Sequence, residues 1–233
     1  MISKIEAPSV NTIKSAFEAE ILRGLGGYWA TQFDISSKPE EINRAVECHS
    51  EAVELTPSTE PDKPAILNSL VNSLRTRFEH LGDHADINQA IKHQSEAILL
   101  TPEGHAHKPR LLNDLGNLYL CRYQSLGDPA NVDRAIAYQS QAVQLTPRDH
   151  ALKPGMLHNL GNSYAHRFKH FGDLTDIDTA IRCQSEAVSL TPNDCALKRI
   201  LLKSLGNSHL CRYDHLGDLA DMDRAIKCNS QAS

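Results

Sequence analysis

Nowhere in this sequence do about 18 uncharged apolar residues run together, and the opening stretch Met1–Pro8 holds no apolar core of a secretory leader. Membrane insertion and secretion are therefore not expected, and a cytoplasmic location is. An excess of positive charge is also missing. With 24 Lys+Arg against 29 Asp+Glu the formal charge is −5, which removes the electrostatic reason for a nucleic acid or an anionic membrane as partner. The six cysteines include no CxxC and no close pair, so neither a disulfide scaffold nor a zinc module is implied, and reduced thiols are expected. There is no sustained alternation of apolar and polar residues, no HExxH, no phosphate-binding glycine loop and no dinucleotide fingerprint. What is present is enough to fold: 40% hydrophobic and 23% charged residues lie far from the composition of a disordered chain.

The informative feature is a period of 45 residues. Leu-Gly-Asn stands at Leu115, Leu160 and Leu205, with Leu70-Val71-Asn72 and Leu25-Gly26-Gly27 as drifted copies. Leu-Gly-Asp stands at Leu81, Leu126 and Leu216, with Phe171-Gly172-Asp173 as its fourth form, and Leu-Thr-Pro at Leu55, Leu100, Leu145 and Leu190. Segments 109–153 and 154–198 are identical at 23 of 45 positions, where unrelated segments share roughly three. The chain is a fivefold duplication.

Each copy reads as two helices. In the third, Leu111, Leu112, Leu115, Leu118, Tyr119 and Tyr123 recur at three-and-four spacing, the pattern of one buried helical stripe. Pro109 suits a first helical turn and Gly127 the left-handed residue that ends one. Asp128 then caps a second helix carrying Val132, Ala135, Ile136, Ala142, Val143 and Leu145, which Thr146-Pro147 stops because the residue before proline is forced to extended geometry. In the first copy Ser37-Lys38-Pro39-Glu40 is expected to supply a capping box instead. The predicted first (A) helices span about 19–35, 64–80, 109–125, 154–170 and 199–215. The second (B) helices begin near 38, 84, 129, 174 and 219, after an N-terminal segment 1–18. The fold class that follows is all-α, a right-handed α-solenoid of five helical hairpins with repeats 19–63, 64–108, 109–153, 154–198 and an incomplete 199–233. One such hairpin cannot bury its stripe alone, so stability comes from stacking.

These residues resemble the tetratricopeptide family. Leu112, Leu115-Gly116 and Tyr119 match its A-helix signature, and Ala135, Ala142 and Pro147 its B helix. Two features depart from it. The position four after the first alanine is polar (His49, Gln94, Gln139, Gln184, Asn229) where the family carries a large aromatic, and the repeat has 45 rather than about 34 residues. The long form, with Leu-Gly-Asn, Arg-Phe or Arg-Tyr, Leu-Gly-Asp and Leu-Thr-Pro, looks like the arrays of fungal CHAT-domain proteins, where the array precedes a caspase-like peptidase domain. That resemblance transfers no catalytic residue, since the family's His and Cys pair belongs to the other domain.

On the A helices Asn68, Asn72, Asn113, Asn117, His158, Asn162, Lys203 and Asn207 share one face beside the buried stripe, which a superhelix turns toward its groove. A carboxamide offers two donors and an acceptor, so such a ladder suits the backbone of an extended peptide. The other reading is that each amide bonds the adjacent repeat and fixes stacking. Arg77, Arg122, Arg167 and Arg212 lie close to the stripe. They are expected to form structural ion pairs with Asp83, Asp128, Asp173 and Asp218, or with the early B-helix acids Asp86, Asp176 and Asp221; an anion-binding ladder is the alternative. No metal, cofactor or catalytic residue is expected: one repeat position holds Cys48, His93, Tyr138, Cys183 and Cys228, so ligands and non-ligands interchange freely there. The expected function is a non-catalytic scaffold for a protein or peptide partner; the alternative is the regulatory portion of a CHAT-type peptidase, and a small enzyme is the third reading. The fifth copy stops before its Leu-Thr-Pro, so the natural chain is expected either to continue or to self-associate through that hairpin, with Leu205, Ala225 and Ile226 exposed.

Overall fold

The computed structural model describes residues 10–232, whose ten helices pair in chain order: α1 (Val10–Ser36) with α2 (Pro39–Leu55), α3 (Lys63–Leu81) with α4 (His84–Leu100), α5 (Lys108–Leu126) with α6 (Pro129–Leu145), α7 (Lys153–Phe171) with α8 (Leu174–Leu190), and α9 (Ala196–Leu216) with α10 (Leu219–Gln231). Among the described residues there is no strand. Two compact units result. In the first, through His105, α3 packs on α2; in the second, from Ala106, α7 packs on α6 and α9 on α8, with α5, α7 and α9 in neighbouring contact. Each unit is built as an all-α solenoid of helical hairpins.

The breaks between helices follow from the repeated residues. Gly82, Gly127, Gly172 and Gly217 take φ of 71 to 74°, and each donates its N–H to the carbonyl four residues back. A side chain is strained in that left-handed geometry, which is why glycine recurs there. The first copy uses Ser37 at φ 54° in place of glycine. Its expected capping box does not form: Lys38 occupies the N-cap without a side-chain bond, while Ser36 Oγ accepts from Lys38 N–H and pairs with Glu41.

The B helices end differently. Thr56, Thr101, Thr146 and Thr191 turn their hydroxyls back to donate to the carbonyls of Ala52, Ala97, Ala142 and Ala187 at 2.7–2.8 Å, and the following proline prevents another turn. A lysine at the start of the next A helix then reaches into the last turn. Lys63 Nζ donates to Val53 O and Thr56 O, both at 2.6 Å. Lys153 does the same to Val143 O (2.6 Å) and Thr146 O (2.8 Å), and Lys198 to Val188 O and Thr191 O. Lys63 and Lys108 are buried; the Lys63 ammonium meets the negative end of the α2 dipole, where it bonds Thr56 O and shares Val53 O with the Thr56 N–H.

Between these ends the helices meet along small residues. Ala45, Ala52, Ala90, Ala97, Ala135, Ala142, Ala180 and Ala187 are all fully buried. In the second unit one core runs through Val132 and Ile136 of α6, Leu157 and Leu160 of α7, Cys183 of α8 and Leu201 of α9. A smaller one joins Phe33, Ile42 and Ala45 in the first.

Three expectations need correction. Helix α1 begins at Val10 rather than near 19, so half of the expected N-terminal segment is helical; Met1–Ser9 lie outside the described residues. Helix α9 begins at Ala196, because Arg199 stands where Pro64, Pro109 and Pro154 fix the start of the other A helices. Of the residues expected in solvent on the last hairpin, Leu205 and Ala225 are buried at 7% and 0% exposure, and Ile226 alone is open at 59%. Leu205 belongs to a core shared with Cys228 and packed by Ile181 and Val188 of the preceding hairpin, while the Ala225 carbonyl lies over Gly206 at the helix crossing.

Candidate functional site

A glycine at 26, 116, 161 and 206 marks where the A helix crosses its B helix, while α3 carries Val71 at that position. A methyl group added to Gly116 would stand 2.5 Å from Gln139 Cγ and 3.0 Å from Ala135 O, and one on Gly161 2.7 Å from Gln184 Cγ. At Gly26 the obstruction is the His49 ring, at 2.5 Å. The polar residue that replaces the family's aromatic is thus pressed against a bare helix backbone, and Gln94, Gln139, Gln184 and His49 are all buried.

Buried polar groups need partners, and these reach across the hairpin. Gln139 Nε2 donates to Asn117 Oδ1 at 2.9 Å, and Gln184 Nε2 to Asn162 Oδ1 at 3.1 Å. The next hairpin joins in: Ser163 Oγ donates to Gln139 Oε1 at 2.6 Å, and in the first unit Ser73 Oγ bonds His49 Nδ1 at 2.8 Å. At the last junction the corresponding Ser208 does not complete the chain, and Gln184 Oε1 is left without a partner.

The predicted face residues therefore divide. Asn113 is buried and its Oδ1 accepts from Asn159 Nδ2 of the neighbouring hairpin at 3.1 Å; Asn162 Nδ2 bonds His158 Nε2 at 3.0 Å. Asn113, Asn117 and Asn162 are thus engaged in structural bonds. Lys203 and Asn207 on α9 and Asn72 on α3 are exposed, Asn68 is half-buried, and among the described residues these four have no hydrogen-bond partner. Between α7, α8 and α9 lies a polar cavity of about 220 Å³, lined by Asn162, Lys169, Gln184, Ser204 and Asn207 among others, with no carboxylate in its wall. It borders the unpaired Asn207.

The arginines are placed with different partners from Asp83, Asp128, Asp173 and Asp218. Arg77 Nε and Nη2 grip both oxygens of Asp86 at 2.8 and 2.6 Å, Arg167 grips Asp176 and Arg212 grips Asp221 with the same two distances. The remaining Nη1 reaches the B helix of the preceding hairpin, at Asn43, Asp133 or Asp178. The loop aspartates instead accept the N–H two residues on, from Ala85, Ala130, Thr175 and Ala220, as helix N-caps. The Arg212 guanidinium beside Asp221 holds that carboxyl well below the usual carboxylate range, with His209 adding to it. Arg122 is the exception. The acid position of its hairpin carries Asn131, which turns its amide to Asp128 Oδ2 at 3.0 Å, and Arg122 Nε is buried without a partner.

Among the described residues no group of three His, Cys, Asp or Glu could hold a metal ion, and no helix is long and apolar enough to cross a membrane. The sequence offers Asp86, Asp176 and Asp221 as one of two partner sets for the arginines, and the structure uses that set; the lysine clamps and the Gln–Asn bridges went unread in it. The clamps have a signal there, a lysine at 63, 108, 153 and 198 in strict register.

No family model and no curated protein sequence matches the chain. Solved structures match its fold. BtubC (BKLC) from P. vanneervenii aligns over 97% of this chain and 90% of its own at TM-score 0.63 and 16% identity. The nearly identical TPR-like repeats of a Podosopora anserina chain align over 97% and 99% at TM-score 0.63 and 11% identity. YrrB, a TPR protein with an unusual peptide-binding site, aligns over 88% of both chains at TM-score 0.52 and 15% identity. The fold is that of a tetratricopeptide-type array.

Two outcomes follow from this geometry. Asn131→Asp supplies Arg122 with the carboxylate that the other hairpins have, and should raise stability in urea by about 1 kcal/mol, whereas Asp176→Asn should lower it. Burial pushes His49, His158 and His166 below the ordinary imidazole value of 6.5, so these groups favour the folded state above that pH and lose their contribution as pH falls through it. Urea midpoints should therefore drop between about pH 7.5 and 5.5, and His49→Gln, which installs the residue found at 94, 139 and 184, should remove part of the drop.

Proposed function

We propose that this chain is a non-catalytic interaction scaffold that holds an extended peptide or helix of a partner protein against the exposed face of its A helices; its partner is a protein or peptide, not a nucleic acid or a membrane. The observation that carries this reading is on α7–α9: Lys203 and Asn207 stand in solvent with no internal partner, beside a polar cavity large enough for one or two side chains. Unengaged donors on a rigid helical face can bond a peptide backbone without first breaking a structural contact. Asn72 and Asn68 offer the same on α3 of the first unit. The TPR fold of the solved neighbours, one of them a peptide binder by its own description, agrees with such a role. The combination of Leu-Gly-Asn, Leu-Gly-Asp and Leu-Thr-Pro in a 45-residue repeat favours, as a second reading, the regulatory portion of a CHAT-type peptidase.

Selection from a random peptide display library on the immobilised chain tests the first reading. Enriched peptides should bind in solution, and Lys203→Ala with Asn207→Ala should weaken them at least about tenfold at an unchanged melting temperature. Asn117 and Asn162 are unsuited to this test, since removing them unpairs buried glutamines. Failure to enrich any peptide, or enrichment indifferent to the α9 pair, would contradict the assignment.

A further inference from the structure

Helix α1 carries an apolar stripe in solvent. Phe17, Ile21, Leu25 and Tyr28 are 68, 46, 45 and 53% exposed, and their spacing confines them to roughly a quarter of the helix circumference. No charged residue falls among them on that arc. A contiguous exposed patch of this kind marks an interaction surface more often than a chance exposure.

The repeat identifies what such a stripe packs against. Forty-five residues on from Ile21, Leu25 and Tyr28 stand Ile66, Leu70 and Ser73 of α3, buried at 5, 2 and 3%, and α3 packs on α2. Further along the chain the same positions are Met156, Leu160 and Ser163 on α7, and Leu201, Leu205 and Ser208 on α9, again buried, with α7 on α6 and α9 on α8. In three A helices of this chain the stripe is covered by a B helix of the preceding hairpin.

The covering face can be read in the same way. On α6 it is Val132, Ile136 and Gln139, buried at 0, 7 and 0%; Ile136 shares a core with Leu157 and Leu160 of α7, and Ser163 bonds Gln139. On α8, Ile181 packs against Leu202 and Leu205 of α9. On α10 the equivalent residues are Met222, half-buried, Ile226, 59% exposed, and Asn229, exposed.

We propose that α1 of one molecule docks on α10 of a second copy, head to tail, repeating between molecules the packing of α9 on α8. The side chains at the two open faces are complementary in size: where α7 and α9 present serine, α1 presents the larger Tyr28, and where α6 and α8 present glutamine, α10 presents the shorter Asn229. The contact is heterologous, so it does not close as a twofold dimer. It is independent of whatever the A-helix face binds.

Light scattering after size exclusion, on the full chain up to about 1 mM, tests the proposal. The mass of the unmodified chain should rise with concentration. Ile21→Glu and Ile226→Glu, both at solvent-exposed positions, should each keep a native helical spectrum and remain monomeric alone. Mixed one to one they should form dimers and nothing larger, because each supplies the intact face the other lacks. Tyr28→Lys serves as a second α1 variant with the same expectation. A monomeric unmodified chain at every concentration overturns the proposal. So does a mixture that stays monomeric, and so does self-association of Ile226→Glu alone, which would mean that α1 pairs with itself.

Discussion

Within each unit, stacking one hairpin on the next buries the C-terminal end of the B helix between them, where four carbonyls lack the ordinary helical donor. Leaving them dry would cost about 1–3 kcal/mol apiece, comparable to the gain from the apolar contacts that stacking makes. The array solves this with a threonine hydroxyl for one carbonyl and the following lysine ammonium for two others, at Lys63, Lys153 and Lys198 alike. At these three junctions the lysine donor comes from the next hairpin. Satisfying a backbone end is therefore the same act as docking the neighbour, and it fixes how far along its axis each A helix sits.

The other repeated polar residues also tie two hairpins at once. An arginine such as Arg167 holds Asp176 of its own B helix and Asp133 of the preceding one, and Gln139 holds Asn117 within the hairpin while accepting from Ser163 of the next. Apolar stripes are tolerant of small slides, whereas a bidentate carboxylate is not. Burial supplies the driving force and these bonds select one register. The predicted face residues not used in this way are Asn68 and Asn72 on α3 and Lys203 and Asn207 on α9.

Much of the architecture was legible because the residues that break helices act on their own backbone. Gly127, Asp128 and Pro147 can be read in isolation, and the apolar spacing of Leu111 to Tyr123 tells which side is covered. The failures lie where a side chain must choose between partners at similar distance. Asp83 and Asp86 are three residues apart at one helix entrance, and only the direction of approach of Arg77 gives the first to the N-cap and the second to the guanidinium. Whether the Asn117 and Asn162 amides are free stayed open in the sequence because the glutamines that claim them stand 22 residues away, at a position read as a departure from the family. Ser37 suggested a capping box, yet the left-handed turn it must make in place of glycine carries its side chain away from the helix it precedes.

Amide hydrogen exchange on Lys153→Met, compared with the unmodified chain, tests the central claim most directly. Methionine keeps the length and removes the donors, so the carbonyl of Thr146 loses its partner and that of Val143 keeps only the Thr146 N–H at 3.3 Å, while the apolar stripe is unchanged. The account predicts that amides in the last turn of α6 and the first turn of α7 exchange about tenfold faster or more, while those of α10, which no lysine clamps in this structure, keep their rates. Unchanged protection across the α6–α7 junction would contradict it.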